Sequence, residues 1–200
     1  MQKPFSFIYR FTLALAVAAL PLTLAGQTNS TPAGSPTMGS DSMSANISAV
    51  DKKFVRDAVQ GGMAEVELGK LAKEKALSED VKKFGQRMID DHSEANENLK
   101  QVATRQGLHL PEKLSAKDEM TKEHLAKLSG AQFDHAYMSE MVKDHEQDLA
   151  AFKRESTSGM DQAVKAFATQ TLPTLEEHLR LAEQIAPAAV SSNNMKSNAQ

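Results

Sequence analysis

Four stretches of this chain place apolar or small residues in alternating steps of four and three, the spacing of a helix seam that faces other helices. The first carries Phe54, Ala58, Gly61, Glu65, Leu68 and Ala72. The second carries Val81, Gly85, Met88, His92, Ala95, Leu99 and Val102. The third carries Met138, Val142, His145, Leu149 and Phe152, and the fourth carries Val164, Ala168, Thr171, Leu175, His178, Ala182 and Ile185. No stretch alternates with the period of two that a half-buried strand requires. The pattern predicts an all-α antiparallel bundle of four long helices. Trp is absent and aromatics are 5% of the chain, so the core is built from Leu, Val, Ala, Met and a few Phe, which suits helix-on-helix packing.

Punctuation fixes the helix ends. Ser48 is a candidate N-cap for a first helix running to Ala76. Ser78 caps the second, with Glu79 and Asp80 in its first turn and Gly107 as its stop. Pro111 lies in the connection. A shorter helix is expected from Ala116, then a long one from Ala131 to Ser156, then a last one from Met160 to Ala186 that Pro173 should kink. The chain also echoes itself. Phe84-x3-Met88-Ile89-x-Asp91-His92 resembles Tyr137-x3-Met141-Val142-x-Asp144-His145, and Val81-Lys82-x-Phe84 resembles Val164-Lys165-x-Phe167.

Lys3 and Arg10 precede an apolar run from Phe11 to Leu24, which reads as a signal peptide over residues 1–25. The run is short for a membrane span and Pro21 interrupts it; no other segment approaches the length needed to cross a bilayer. Residues 26–48, rich in Ser, Thr, Gly and Pro, are expected to form a flexible linker, residues 49–186 the bundle and residues 187–200 a disordered tail. The expected location is the periplasm, soluble or peripherally associated with the cell envelope. Losing the first 25 residues takes the net charge from −3 to −5, since Lys3 and Arg10 leave and no acid does. That balance gives no electrostatic footprint for nucleic acid. With no cysteine, disulfides, thiolate metal sites, a cysteine nucleophile and a lipidated N-terminal Cys are all excluded. The sequence is silent on oligomeric state.

Each otherwise apolar seam contains one ionisable residue: Glu65, His92, His145 and His178. At 1.5 Å per residue, the first three fall at similar heights, roughly 18–22 Å from the turn near Leu77, while His178 comes out roughly 10 Å nearer one end. Buried charge and buried imidazole need partners. Either a Glu–His network satisfies them, or a divalent transition metal or small ligand does, because neutral imidazole and carboxylate are ordinary metal ligands. Asp91 and Asp144 are secondary candidates as acceptors. Met88 and Met141, each four residues before a histidine, are secondary candidates as thioether ligands and would suit copper; as core filler they need no metal. His109, His124 and His135 read as solvated. Gly61-Gly62 inside the first helix allows a close helix approach or leaves room for a ligand. There is no phosphate loop, no HExxH and no nucleophile elbow, so no catalytic residue is assigned.

Several runs carry a family resemblance: Glu65-x-Glu67-Leu68-Gly69-x-Leu71-Ala72, Met88-x2-Asp91-His92, Gly130-x2-Phe133-Asp134-x2-Tyr137-x3-Met141-Val142-x2-His145 and Leu172-Pro173-x4-His178. Together they resemble an exported bacterial family of unknown function, often labelled outer membrane protein and placed with the ferritin-like superfamily. The resemblance implies a ferritin-like four-helix bundle with a short extra helix between helices two and three. Ferritin-like di-metal centres use Glu-x-x-His on two helices. Here Ile89, Val142 and Leu175 stand three residues before the histidines, so a di-iron oxidase or iron-storage role does not carry over. The leading expectation is a non-enzymatic, stress-protective binding protein. The alternatives are a structural or interaction module with a buried polar core and no metal, and, behind both, a metal-dependent oxidoreductase.

Overall fold

The computed structural model describes residues 47–197, with side chains through residue 187. The expected signal peptide (1–25) and most of the expected linker (26–46) lie outside the described residues. Among the described residues there are five helices: α1 (Ala49–Lys75), α2 (Glu79–Arg105), α3 (Ala116–Ala126), α4 (Gly130–Ser158) and α5 (Gln162–Ser197). No strand occurs among the described residues; an isolated bridge joins Ala76 to Gly130. None of the described helices is long and apolar enough to cross a membrane.

The caps follow from the residues that the sequence supplies. Ser48 accepts the Asp51 N–H and Ser78 accepts the Asp80 N–H, satisfying amides that a helix start leaves free. Ser115 does the same for α3 through Asp118. Gly107, at φ +65°, ends α2 by adopting the left-handed conformation while Leu108 N–H returns to the Ala103 carbonyl. Two expectations shift. Ile47, at the end of the expected linker, is buried in the core. α5 runs unbroken through Pro173 and continues to Ser197 rather than ending at Ala186.

Two buried aspartates fix how the helices connect. Asp134, near the start of α4, accepts the Leu77 and Ser78 N–H groups of the α1–α2 turn, both at 2.9 Å. Asp51, near the start of α1, accepts the Met160 and Asp161 N–H groups of the α4–α5 turn at 3.3 and 2.9 Å. Each hairpin therefore grips the other's turn. The start of α4 lies beside the end of α1, and the end of α4 beside the start of α1. α2 finishes at the same end as α4, because Gln106 donates to Asp161 at 2.7 Å. The segment holding α3 must then run the length of the bundle, lying against α1 and touching α4. Every adjacent long pair (α1–α2, α4–α5, α1–α4, α2–α5) is antiparallel, with one long crossover, the connectivity that ferritin-like bundles use.

The grips also define the internal repeat. Asp51 and Asp134 stand 83 positions apart, as do Ser78 and Asp161, Val81 and Val164, and Phe84 and Phe167. The duplicated unit is thus the hairpin, α1–α2 on α4–α5. The likeness of α2 to α4 around Asp91-His92 and Asp144-His145 has a different offset and is a similarity of amphipathic helices.

The close approach of α1 and α2 falls at Gly69 and Gly85, not at Gly61-Gly62. A Cβ on Gly69 would sit 2.5 Å from the Gly85 carbonyl oxygen. Gly61 faces open space, and Gly62 makes room for the Asn96 side chain. The apolar core forms two clusters. One, toward the α1–α2 turn, holds Leu68, Phe84, Met88, Phe133, Tyr137 and Met141. The other, toward the α4–α5 turn, holds Phe54, Val59, Leu99, Leu149, Phe152 and Leu175. A polar layer lies between them.

Candidate metal centre

That layer is made by the four ionisable seam residues. Glu65 is 2% exposed, His92 6%, and His145 and His178 0%, so all four point inward. Along each helix the polar residue follows one apolar cluster and precedes the other, as His145 does between Met141 and Leu149. His178 is level with the rest, correcting the height expected from sequence: its Nδ1 lies 3.3 Å from His145 Nε2. The side chains of α4 and α5 lean toward opposite ends of the bundle and close the gap.

Each imidazole has one nitrogen turned to a fixed acceptor. His145 Nδ1 lies 2.8 Å from the Met141 carbonyl, which can only accept, so the proton is on Nδ1 and Nε2 carries a lone pair. His178 Nε2 lies 2.7 Å from Asp91 Oδ2 and donates to it. Its Nδ1 then carries a lone pair. His92 Nδ1 lies 2.9 Å from Glu65 Oε2, at ion-pair distance, and His92 Nε2 is buried with no hydrogen-bond partner. One ring nitrogen from each of His92, His145 and His178 lies within 4.8 Å of the others. Glu65 Oε1 approaches the same place, 3.5 Å from His145 Nε2, and neither Glu65 oxygen has a well-directed hydrogen-bond donor. Phe84 closes the layer on the α1–α2-turn side, with edge-on contacts to His145 and His178.

The charge states follow from the surroundings. Burial alone would raise the Glu65 pKa, but the positive charges that His92 and His145 can carry outweigh it and hold the carboxyl well below its ordinary value. Burial would lower His92, yet the Glu65 charge prevails and raises it. Burial lowers His145, and it lowers His178 to about 4 against the opposing hydrogen bond from Asp91. At neutral pH, His145 and His178 are therefore neutral imidazoles, and their lone pairs face one another across 3.3 Å. Two acceptors at that distance repel unless something positive lies between them. Four-coordinate zinc with Zn–N bonds of about 2.0–2.1 Å has a ligand–ligand edge of roughly 3.3 Å.

The secondary candidates divide. Asp91 belongs to the centre as the acceptor that orients His178. Asp144 is half-buried beside it; burial, then the charges of Glu140 and Glu65, raise its pKa to about 6. Met88 and Met141 pack in the apolar cluster toward the α1–α2 turn, and Met141 serves the centre through its backbone carbonyl. Asp148, which lies beside the predicted seam rather than on it, also faces Glu65 and His92; burial, then the Glu65 charge, raise it to about 8. The repeat could have revealed it, since Asp148 occupies the position 83 residues after Glu65. His109 and His124 are exposed, and His135 contacts Ser139 on the surface, as expected.

The domain family described as "Domain of unknown function (DUF4142)" matches residues 36–185. Among solved structures, the fold is similar to the "Crystal structure of DUF305 fragment from Deinococcus radiodurans". That match has a TM-score of 0.63 and 16% identity, covering 71% of this chain and 98% of that one, and it bears on fold alone. No curated protein matches the chain. The family match spans most of the chain, which belongs to the DUF4142 family.

Proposed function

We propose that this member of the DUF4142 family is an exported, periplasmic protein that binds one divalent transition-metal ion between its helices, in a stress-protective rather than catalytic role. His92, His145 and His178 supply the ligands, with Glu65 as a further ligand or as the group that orients His92. The observation that carries the reading is the convergence of one ring nitrogen from each of His92, His145 and His178 within 4.8 Å, with His145 Nε2 and His178 Nδ1 3.3 Å apart, beside the buried Glu65 carboxylate. A single proton could relieve one such contact; a cation relieves them together. The outer acceptors support the same reading. A ligating histidine ordinarily donates its second N–H to a carboxylate or backbone carbonyl, which fixes its tautomer. Met141 and Asp91 do this for His145 and His178, and Glu65 stands in that place for His92.

Imidazole with carboxylate suits zinc, nickel or copper(II), and copper(II) binds most tightly of these where geometry permits. The export assignment rests on Lys3, Arg10 and the apolar run from Phe11 to Leu24.

Metal analysis of protein isolated from periplasm, together with His92→Ala and His145→Ala, tests the proposal. Stoichiometric metal that both variants lose is the expected result. Protein that stays metal-free under repletion, with variants that merely melt at lower temperature, overturns it. That outcome would favour a polar layer that only fixes helix register, a reading to which the 2.9 Å contact between His92 and Glu65 lends some support.

A further inference from the structure

A centre buried between four helices must be reached from outside, and one of its supporting groups touches solvent. The Met141 carbonyl and the Glu65 carboxylate are enclosed, whereas the Asp91 side chain is 32% exposed. Asp91 lies in the wall of a groove of about 650 Å³ between α2 and α5, with Arg87, Glu94, Gln170 and Thr174 around it. His178 spans that wall. Its Nε2 meets Asp91 from inside at 2.7 Å, and its Nδ1 faces His145 at the centre. On the outer side, Arg87 Nε lies 3.2 Å from the same Asp91 oxygen, and its terminal nitrogen lies 3.8 Å from Glu177. Glu177 is in turn held by two bonds from Arg180. A chain of surface charges thus ends on Asp91, a half-buried carboxylate that touches the centre.

A hydrated divalent cation must exchange water for protein ligands on its way in. An anionic oxygen that is half in solvent and half against a histidine is suited to the first exchange. The guanidinium of Arg87 holds that oxygen in competition. Asp144 and Asp148 approach the centre from α4, where Lys117 of α3 faces them. That second approach lies on α4 beside α3, away from the α2–α5 groove.

We infer that the α2–α5 groove is the loading port for the cation, with Asp91 as its outer acceptor, His178 as the inner ligand through Nδ1 and Arg87 as the counter-ion that must yield. This inference rests on the metal-site reading above. The test is stopped-flow mixing of demetallated full-length protein with Co²⁺ alone, following the visible absorption of the bound ion, and then extraction with a chelator. Arg87→Gln should raise both the loading and the extraction rates by about threefold or more, because a competing charge has gone, and leave their ratio nearly unchanged. Asp91→Asn keeps an amide oxygen to accept from His178 but loses the charge, and should slow loading by about tenfold.

The port is overturned if Arg87→Gln and Asp91→Asn change equilibrium affinity while the loading rate stays fixed, since both would then only position His178. It is equally overturned if Asp148→Asn slows loading more than Asp91→Asn does, which places entry on the α4 side. Failure of the unsubstituted chain to develop a cobalt spectrum overturns the centre itself, a result distinct from either of these.

Discussion

Replacing His145 with Leu separates a histidine kept for a ligand from a histidine kept for packing. The side chain is fully enclosed, so a substitute of similar volume leaves little cavity. Its Nδ1 hydrogen bond goes to the Met141 carbonyl, which the helix already supplies with the His145 backbone N–H, so no acceptor is orphaned when the ring leaves. Its Nε2 faces a lone pair on His178 and a carboxylate oxygen of Glu65, contacts that cost rather than contribute while His145 is neutral. Removing them offsets the lost hydrogen bond. The metal-free His145→Leu chain should therefore unfold with a free energy within about 1 kcal/mol of the unsubstituted chain, on either side. A structural role predicts otherwise: breaking a buried polar pair costs about 3–5 kcal/mol. For a domain of this size that would lower Tm by roughly 6–20 °C. Meanwhile metal affinity should fall by about 100-fold or more. Thermal melts in chelator, paired with a metal competition titration, read both quantities. A metal-free loss above about 3 kcal/mol, with unchanged metal affinity, would refute the reasoning.

Three further outcomes follow from the same contacts. Burial, then the charge of Asp51, push the Glu155 carboxyl from its ordinary 4.5 up to about 7. The protonated acid thus contributes stability that is fully present below about pH 4.5 and is lost as pH rises through about 7. Glu155→Gln should make Tm decline less between those limits, though not abolish the decline, because Asp148 is raised with the same sign; a slope equal to that of the unsubstituted chain would contradict this. Gly61→Ala should stabilise by about 1 kcal/mol, since helix propensity improves and the Cβ meets open space, whereas Gly85→Ala should destabilise, its Cβ falling 2.7 Å from that of Ala72; urea melts read both, and two changes of the same sign would contradict the pairing. Asp134→Ala leaves the Leu77 and Ser78 amides without their acceptor and should cost about 2–3 kcal/mol. Asp51→Ala should cost a similar amount at the other turn, and a large disparity between the two in chemical denaturation would argue against equivalent grips.

The helices, their caps at Ser48 and Ser78 and the inward direction of Glu65, His92, His145 and His178 were legible in the sequence, because seam spacing and capping chemistry are local. What was not legible depends on pairing across the chain. The grip of Asp134 on the α1–α2 turn joins residues more than fifty positions apart, and nothing in the flanking residues announces it. The height of His178 depends on how the side chains of α4 and α5 lean toward each other once the helices are docked. The tight crossing could not be assigned to Gly69 and Gly85 over Gly61 and Gly62, because both pairs look alike until the helices are docked. Asp148 was hidden because it lies beside the seam, not on it. Only the repeat at 83 positions would have drawn attention to it, and that register becomes clear once the two turn grips are matched.

The same register says how the centre departs from its scaffold. Glu65 has an acidic counterpart in Asp148, so the duplicated hairpins bring two carboxylates toward the middle of the bundle. The histidines have no such counterparts: the positions equivalent to His92, His145 and His178 are Leu175, Gly62 and Ala95. A polar layer needed only to set register could be met by repeating one polar pair in both hairpins, which would leave complementary donors and acceptors. Here three imidazoles have been placed asymmetrically, two from the second hairpin and one from the first, with lone pairs that converge rather than complement. Such a layer interrupts an otherwise continuous apolar core and buries the His92 Nε2 nitrogen without a hydrogen-bond partner. Burying polar groups in this state costs on the order of 1–3 kcal/mol each. A bundle with ample Leu, Val and Ala elsewhere on its seams gains nothing in stability from that layer while it is empty; the ion proposed above would convert the convergent nitrogens from a liability into a binding site.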